Sequence, residues 1–471
     1  MSLRAVVTFA AAAALIGASS AAWAQYPNPE PPAPPAPPAP PAAPPAHPVW
    51  VDPVFGGIMF SGHVEVGTSF NPDSPANNTN FGQAFTDSSN SFRMNQAMIN
   101  VEHDLDSTVS DFQTGFKFSA MYGTDSRYTH FFNEFDRTTN SPYQWDVVEL
   151  DAQLHTPVPA WIAGTDWKIG QYPTPLGFEV IDSTGNPLYS HSYIFNYGLP
   201  FKHTGVLTTN HINDTVDLWL GWDTGVNDSL GSKGVNNASL GKGIVGFGLN
   251  NILDGNLTIL GLAHIGAENP TGSPMTGTPF NVNHALREYY DAVITYKIND
   301  SLTSVTELNM VHDNGYNVTG GGAAQYLTYK LSDQWSFTGR AEAFADQAKN
   351  GFNGFVCAYP GSQDAVDGQR NIAFSNANTT NPVGNQSYCG SGSTATVGRA
   401  YNVTYGELTV GASYTPPVEL PGTLGLLIRP EARFDSIIGG TGGLKPFNVS
   451  SAGVGTKTSQ VTLAVDAIFS F

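Results

Sequence analysis

The chain closes on QVTLAVDAIFSF, Gln460 to Phe471. Val461, Leu463, Val465, Ala467, Phe469 and Phe471 fall on one face of this stretch. Gln460, Thr462, Asp466 and Ser470 fall on the other. The repeat is two residues, the repeat of a pleated strand. Such alternation specifies a sheet with one apolar and one polar face, and by itself leaves open which face points inward. A β-sandwich hides the apolar face, whereas a membrane barrel turns it outward.

Moving upstream, the same pattern recurs. Trp145 to His155 sets Val148, Leu150, Ala152 and Leu154 against Glu149, Asp151 and Gln153. Thr215 to Asp223 sets Val216, Leu218, Leu220 and Trp222 against Asp217 and Asp223. Trp335 to Asp346 sets Phe337, Gly339, Ala341 and Ala343 against Thr338, Arg340 and Glu342. Leu424 to Asp435 sets Ile428, Pro430, Ala432 and Phe434 against Arg429, Glu431, Arg433 and Asp435. Several charges per strand on the polar face suit a wet lumen. Trp145, Trp167, Trp222, Trp335 and Tyr414 stand near strand ends, where an interfacial girdle would lie.

Composition agrees. Of 471 residues, 41% are hydrophobic and 13% charged, and 50 are Gly, which favours strands joined by turns over helices. After the first thirty residues no apolar run approaches the roughly 20 residues of a spanning helix. A net charge of −19 argues against nucleic acid as a partner.

About sixteen candidate strands follow from the periodicity, an even number of the kind bacterial barrels use. They start near Gly56, Phe92, Ser110, Gln144, Asp166, His203, Asp214, Lys242, Asn256, Leu286, Ser301, Ala323, Gln334, Asn402, Leu424 and Thr458. Short links (His211 to Asp214, Leu253 to Gly255, Asn299 to Ser301, Ser332 to Gln334) contrast with long ones (Asn71 to Ser91, Gly123 to Tyr143, Pro173 to Lys202, Gly266 to Ala285, Asp346 to Tyr401). A sandwich has no reason to sort its loops; a barrel with short periplasmic turns and long outer loops does. The expected fold is all-β: a transmembrane antiparallel β-barrel. Because unpaired backbone groups cost several kcal/mol in hydrocarbon, such a sheet closes on itself. A closure this wide holds more space than side chains fill, so an aqueous channel is expected.

The amino terminus reads as an export signal. Arg4 precedes an apolar stretch from Ala5 to Ile16, and Ala22-Trp23-Ala24 supplies a cleavage site. The expected division is a signal peptide over 1–24, a Pro-rich periplasmic arm over 25–54 and a barrel over 55–471. The PPAPPAPPAPPAAPP arm should be an extended polyproline spacer, either a plain tether or a docking arm for the cell wall.

The stretch Trp167 to Val206, WKIGQYPTPLGFEVIDSTGNPLYSHSYIFNYGLPFKHTGV, resembles the β-barrel porin-2 group, the OmpL-like outer-membrane porins. The resemblance is carried by Gly170-Gln171-Tyr172, Gly177-Phe178-Glu179, Ser190-His191-Ser192-Tyr193 with Phe195, Pro200-Phe201 and His203-Thr204-Gly205. Ser61-Gly62-His63-Val64-Glu65, Asn71-Pro72 and Asn95-Gln96-Ala97 also fit. The insert Gly351 to Gly398 and the Pro-rich arm do not. The alternating last strand ending in Phe471 is similar to the terminal strand of outer-membrane barrels, which implies the barrel-assembly machinery as a partner. The resemblance implies a porin embedded in outer-membrane lipid and passing small polar solutes, with no catalytic residue and no cofactor. Analogy with porins of this width offers a homotrimer.

The third outer loop, Pro173 to Lys202, is by the same analogy expected to fold inward. Its Glu179, Asp182, His191 and Lys202 are the candidates for a pore constriction, facing charges on the wall. An ordered loop packed on the outer rim is the alternative. Alternation assigns Glu65, Glu149, Asp151, Asp217, Asp291, Glu307, Glu342, Glu407, Glu431, Asp435 and Asp466 to the lumen, with Lys117, Lys168, Lys297, Lys330, Arg340, Arg429 and Arg433. Acids outnumber bases, so a weak cation preference is expected. Many of these charges are expected to be ion pairs that brace the wall. Arg340, Arg429 and Arg433 are expected to form one basic strip facing the loop acids.

Cys357 and Cys389 share one long loop, and pairing them in an oxidising envelope would close a loop of about 33 residues, worth roughly 3–4 kcal/mol. No G-x-S-x-G, H-E-x-x-H, P-loop or C-x-x-C occurs, and the 11 histidines are scattered, so an enzyme and a metal site are not expected. Two other readings compete with a diffusion porin: a loop-occluded surface barrel and a substrate-selective channel.

Overall fold

A computed structural model describes residues 50–51, 57–105, 111–131, 134–135, 142–157, 163–229, 241–268, 285–315, 317–347, 355–358, 402–417, 425–440, 445–451 and 455–471. The signal peptide, nearly all of the Pro-rich arm and Cys389 lie outside these residues, and the Cys357 side chain is likewise not described.

Sixteen antiparallel strands form a closed ring. In chain order they are β1 (Met59–Phe70), β2 (Ser91–His103), β3 (Gln113–Gly123), β4 (Gln144–Thr156), β5 (Gly164–Pro173), β6 (Lys202–His211), β7 (Val216–Asp223) and β8 (Gly243–Asn251). The ring continues with β9 (Leu257–Gly266), β10 (Arg287–Asn299), β11 (Leu302–Asp313), β12 (Val318–Lys330), β13 (Trp335–Gln347), β14 (Asn402–Tyr414), β15 (Gly425–Gly440) and β16 (Ser459–Ser470). Each strand pairs with its sequence neighbours, and β16 pairs with β1 from Leu463↔Phe70 to Ser470↔His63. The closing seam extends one residue further, because Phe471 and Gly62 exchange both backbone hydrogen bonds at 2.9 Å. A Cβ on Gly62 would lie 2.6 Å from the Phe471 ring, so glycine there admits the terminal aromatic.

The orientation of the faces is settled by β16. Val461, Leu463 and Val465 are exposed at 42%, 49% and 39%, while Gln460, Thr462 and Asp466 are buried. Leu150, Leu218, Leu220, Val245, Phe247, Leu408, Val410 and Phe434 join them in an outward apolar belt. Water-soluble proteins rarely expose a contiguous apolar patch beyond a few hundred Å². A belt carried by strands all round the ring requires hydrocarbon outside. Trp145 and Trp222 point outward near the long-loop end, and Trp335 stacks on Tyr414 at 4.3 Å near the other.

Sequence reading misplaced a few details. The twelfth strand begins at Val318 rather than near Ala323, because Gly320, Gly321 and Gly322 pair with Asp346, Ala345 and Phe344 across the ladder. The link between β11 and β12 is short although it lies at the long-loop end. Bulges break the period at two informative places. Val148 is the extra residue opposite Ser119 and Ala120, so it is buried rather than lipid-facing. Asn95 is the extra residue opposite Glu65 and Val66, which turns both Asn95 and Gln96 inward. Pro430 keeps its place in β15, but the ladder to β14 skips there because proline has no N–H to donate.

Candidate functional site: the third loop and the facing wall

The loop between β5 and β6, here L3, lies inside the ring. Its entry is shaped by Gly177, whose φ of +95° favours glycine. It then runs through the short 3-10 turn Ser183–Gly185 and a single π-helical turn, Ile194–Gly198.

Wall acids hold its backbone N–H groups. Glu431 on β15 accepts from Tyr189 (3.0 Å) and Ser190 (3.1 Å). Glu342 on β13 accepts from Tyr193 (2.6 Å) and Ile194 (2.7 Å). Asp291 on β10 accepts from Gly177 at 3.1 Å and Glu307 on β11 from Phe178 at 3.2 Å. Wall bases hold its carbonyls. Arg429 donates to Ser183 O (2.8 Å) and Asn186 O (2.6 Å), Arg433 to His191 O (2.5 Å) and Arg340 to Ser190 O (2.7 Å). Asn309 donates to Gly198 O at 3.1 Å. Hydrogen bonds to charged groups contribute roughly 1.5–3 kcal/mol each. So many of them fix L3 against the arc from β10 round to β2.

The arginines are neutralised as well as engaged. Arg340 meets Glu179 at 2.7 Å and Glu407 at 3.0 Å; Arg429 meets Asp466 at 2.6 Å and Glu65 at 3.1 Å; Arg433 meets Asp435 at 2.8 Å. The expected strip of bases facing loop acids is thus corrected: only Arg340 meets a loop carboxylate, and Arg429 and Arg433 meet loop carbonyls and wall acids.

The four loop candidates separate. Glu179 and His191 are buried and joined at 2.9 Å. Burial works against the Glu179 charge, but Arg340, His191 and the Ser192 N–H outweigh it and hold the carboxyl at about 2. Lys202 is the first residue of β6 rather than part of L3; it is fully buried and ion-paired with Asp146. Asp182 differs, with a side chain 38% exposed. Burial opposes its charge, yet His63, the Thr184 hydroxyl and N–H, and Lys117 hold it below the usual carboxylate range.

The accessible wall faces Asp182. Lys117 on β3 and Lys168 on β5 each have side chains 33% exposed. Lys117 pairs with Glu102 (3.3 Å) and Glu149 (3.7 Å), and Lys168 with Glu149 (2.7 Å) and Asp151 (3.8 Å). Further toward the short turns, His155, Asp166, His211, Asp217 and Asn250 form a hydrogen-bonded chain across β4 to β8 at 2.6–3.0 Å.

Three contributions escaped the sequence reading. Asn95 and Gln96 tie L3 to the loop after β3: Tyr189 donates to Asn95 Oδ1 (2.8 Å), Gln96 donates to Ile181 O (2.7 Å), and both amides donate to Asp125 (3.0 Å). Burial raises the Asp125 carboxyl, against those two amides. The long-loop end of the interior is aromatic rather than wet, with Phe85, Phe195, Phe201, Tyr193, Phe344 and Tyr405 buried together. The loop after β1 is clamped to the one after β3 by a bidentate Arg127–Asp87 pair at 2.9 and 3.2 Å. Most of these residues lie in bulges and loops, which have no fixed period; Phe344 and Tyr405 do fall on the inward face of β13 and β14, but alternation does not say what packs on them.

A closed ring of sixteen strands with an apolar outer belt and inward-folded loops defines an outer-membrane β-barrel of the channel-forming class. Residues 57–471 match the family described as "Putative beta-barrel porin-2, OmpL-like", and the chain belongs to that family. No curated protein matches the sequence. The fold is similar to that of the anion-selective porin from Comamonas acidovorans, at 10% identity over 88% of this chain and 99% of that one, with a TM-score of 0.51. It is also similar to OprB of Pseudomonas putida at high pH, at 13% identity over 88% and 94% of the two chains, with a TM-score of 0.51. At these identities the likeness is one of fold.

Proposed function

We propose that the protein is a passive diffusion porin for ions and small polar solutes, whose water path runs between L3 and the wall of β2 to β7. The observation that carries this is the asymmetry of the interior. L3 is fixed to one arc; its partly exposed Asp182 looks across to the partly exposed wall charges Lys117, Lys168, Asp166 and His211 on the other side. Asp182 opposite Lys117 and Lys168 sets a transverse field at the constriction. With Arg340, Arg429 and Arg433 neutralised, Glu102, Glu149, Asp151 and Asp182 outweigh the two lysines there, which supports weak cation preference.

The protein acts without enzymatic chemistry in this reading. Ser183 Oγ lies 3.3 Å from His63 Nε2, and His63 Nδ1 lies 3.8 Å from Asp182, an arrangement resembling a nucleophile and base. Gln96 argues against it. Its amide nitrogen is fixed on Asp125 and Ile181 O, so its oxygen faces His63 Nε2 at 3.0 Å. That nitrogen therefore carries the proton and cannot take one from serine.

The aromatic packing at the long-loop end favours a second reading, a barrel occluded by its own loops. Reconstitution into planar bilayers separates the two. Stable conductance steps with a modest cation-selective reversal potential support the porin; silent insertion supports occlusion. Signal cleavage after Ala24 and a Cys357–Cys389 disulfide belong to the proposal, and intact mass of the exported protein tests both.

A further inference from the structure

We propose that His203, Asp223 and His264 form a binding site for a borderline divalent metal ion of the Zn²⁺ type, inside the wall at the long-loop end of β6, β7 and β9. All three side chains are fully buried. His264 Nε2 lies 3.0 Å from Asp223 Oδ1, His203 Nδ1 lies 3.4 Å from Asp223 Oδ2, and one donor atom from each residue falls within 4.8 Å of the others. A tetrahedral Zn²⁺ with bonds of about 2.0–2.1 Å sets its ligand atoms roughly 3.3 Å apart. Each imidazole already stands near that spacing from one oxygen of Asp223, and small side-chain rotations would bring the three donors round one ion. Two imidazoles with one carboxylate suit Zn²⁺ and its neighbours rather than Ca²⁺ or Mg²⁺.

The surroundings fit a ligand set better than a closed structural core. The two imidazole rings lie 4.9 Å apart around a single carboxylate. His203 Nδ1, the atom turned toward Asp223, and the buried Tyr172 hydroxyl, whose ring is 5.9 Å from that of His203, have no hydrogen-bond partner. Buried polar groups are nearly always satisfied, so each such atom calls for an explanation. His203 has an outer support: its Nε2 is 3.1 Å from the Thr174 hydroxyl, which can accept from Nε2–H and leave the Nδ1 lone pair for a metal. Asp223 and Glu268 bring two negative charges to the neighbourhood of the site, one of them offset by Lys242, which pairs with Glu268 at 3.6 Å. An ion here would staple β6, β7 and β9 across the intervening β8. This inference is independent of whether the barrel conducts.

The test uses the full mature chain, refolded in detergent, stripped with EDTA and dialysed against ZnCl₂ or CoCl₂. Expected are about one ion per chain, an intense visible band for bound Co²⁺ of low coordination number, and a Zn²⁺-dependent rise in the temperature at which the compact form is lost on gels. A His203→Gln/His264→Gln chain should bind at least tenfold more weakly and lack the band. A His155→Gln/His211→Gln chain, altered at the other imidazole–carboxylate group, should bind as the parent does. Absence of binding by the parent chain overturns the proposal and leaves the group as an imidazole–carboxylate brace. Undiminished binding by the His203→Gln/His264→Gln chain overturns it equally. If that chain does not fold, the Co²⁺ spectrum and stoichiometry of the parent decide: a pale octahedral spectrum counts against the site.

Discussion

Glu179 illustrates how single residues hold L3. Its carboxylate meets Arg340, His191, the Ser192 N–H and the Tyr326 hydroxyl, all away from bulk water. Removing one partner of such a buried pair costs roughly 3–5 kcal/mol. Glu179→Gln should therefore lower resistance to urea unfolding by about 3 kcal/mol, with Arg340 still held by Glu407. The pH dependence has a definite sign. The folded pKa of about 2 lies below the ordinary 4.5, so the stabilisation is complete above about pH 4.5 and is lost as pH falls toward 2. Between pH 5 and 8 the Glu179 contribution should accordingly be full and independent of pH, and the difference between parent and Glu179→Gln should shrink below pH 4. A difference that grows on acidification would refute the assignment. Alternation placed Arg340, Glu342, Arg429, Glu431 and Arg433 on the polar face, but it carries no information on what crosses the lumen to meet them. That Glu431 binds two loop N–H groups rather than a cation follows from the path of L3 alone.

At the scale of elements, strands were legible and bulges were not. Strand starts follow from period two, so β4, β13 and β16 stand where the pattern puts them. Asn95 and Val148 break the period, and their inward turn depends on pairing across the ladder. Gly67 shows the same dependence. A Cβ there would lie 2.5 Å from the Tyr189 hydroxyl, so its small size matters only once L3 is in place. Gly67→Val should displace Tyr189 and raise protease cleavage within L3 while leaving the barrel's heat-shifted mobility intact. Deleting residues 175–200 should enlarge the conductance step and make it noisier; an unchanged step would remove L3 from the constriction. On the outer face, Leu463→Arg puts a charge into the belt and should cost about 2–4 kcal/mol if it lies near the bilayer midplane, whereas Gln153→Arg, at a partly exposed inner position on β4, changes selectivity first.

For the whole molecule, the decisive physics is that of a sheet in oil. Its backbone groups are satisfied only by closure, its outer residues by lipid and its inner residues by water and one another. Phe471 zips to Gly62 at the seam, and the apolar belt runs round the ring. What no periodicity conveyed is how much of the interior the loops occupy. Paired thiol labelling asks this most directly. With Cys357 and Cys389 replaced by serine, Lys117→Cys and Leu150→Cys chains in lipid vesicles are exposed to a charged, water-soluble thiol reagent. The inner Lys117→Cys should react quickly and its modification should reduce the conductance, and the outer Leu150→Cys should react only with a lipid-soluble reagent. A protected Lys117→Cys beside a freely labelled Leu150→Cys would contradict the wet interior and the oily exterior together.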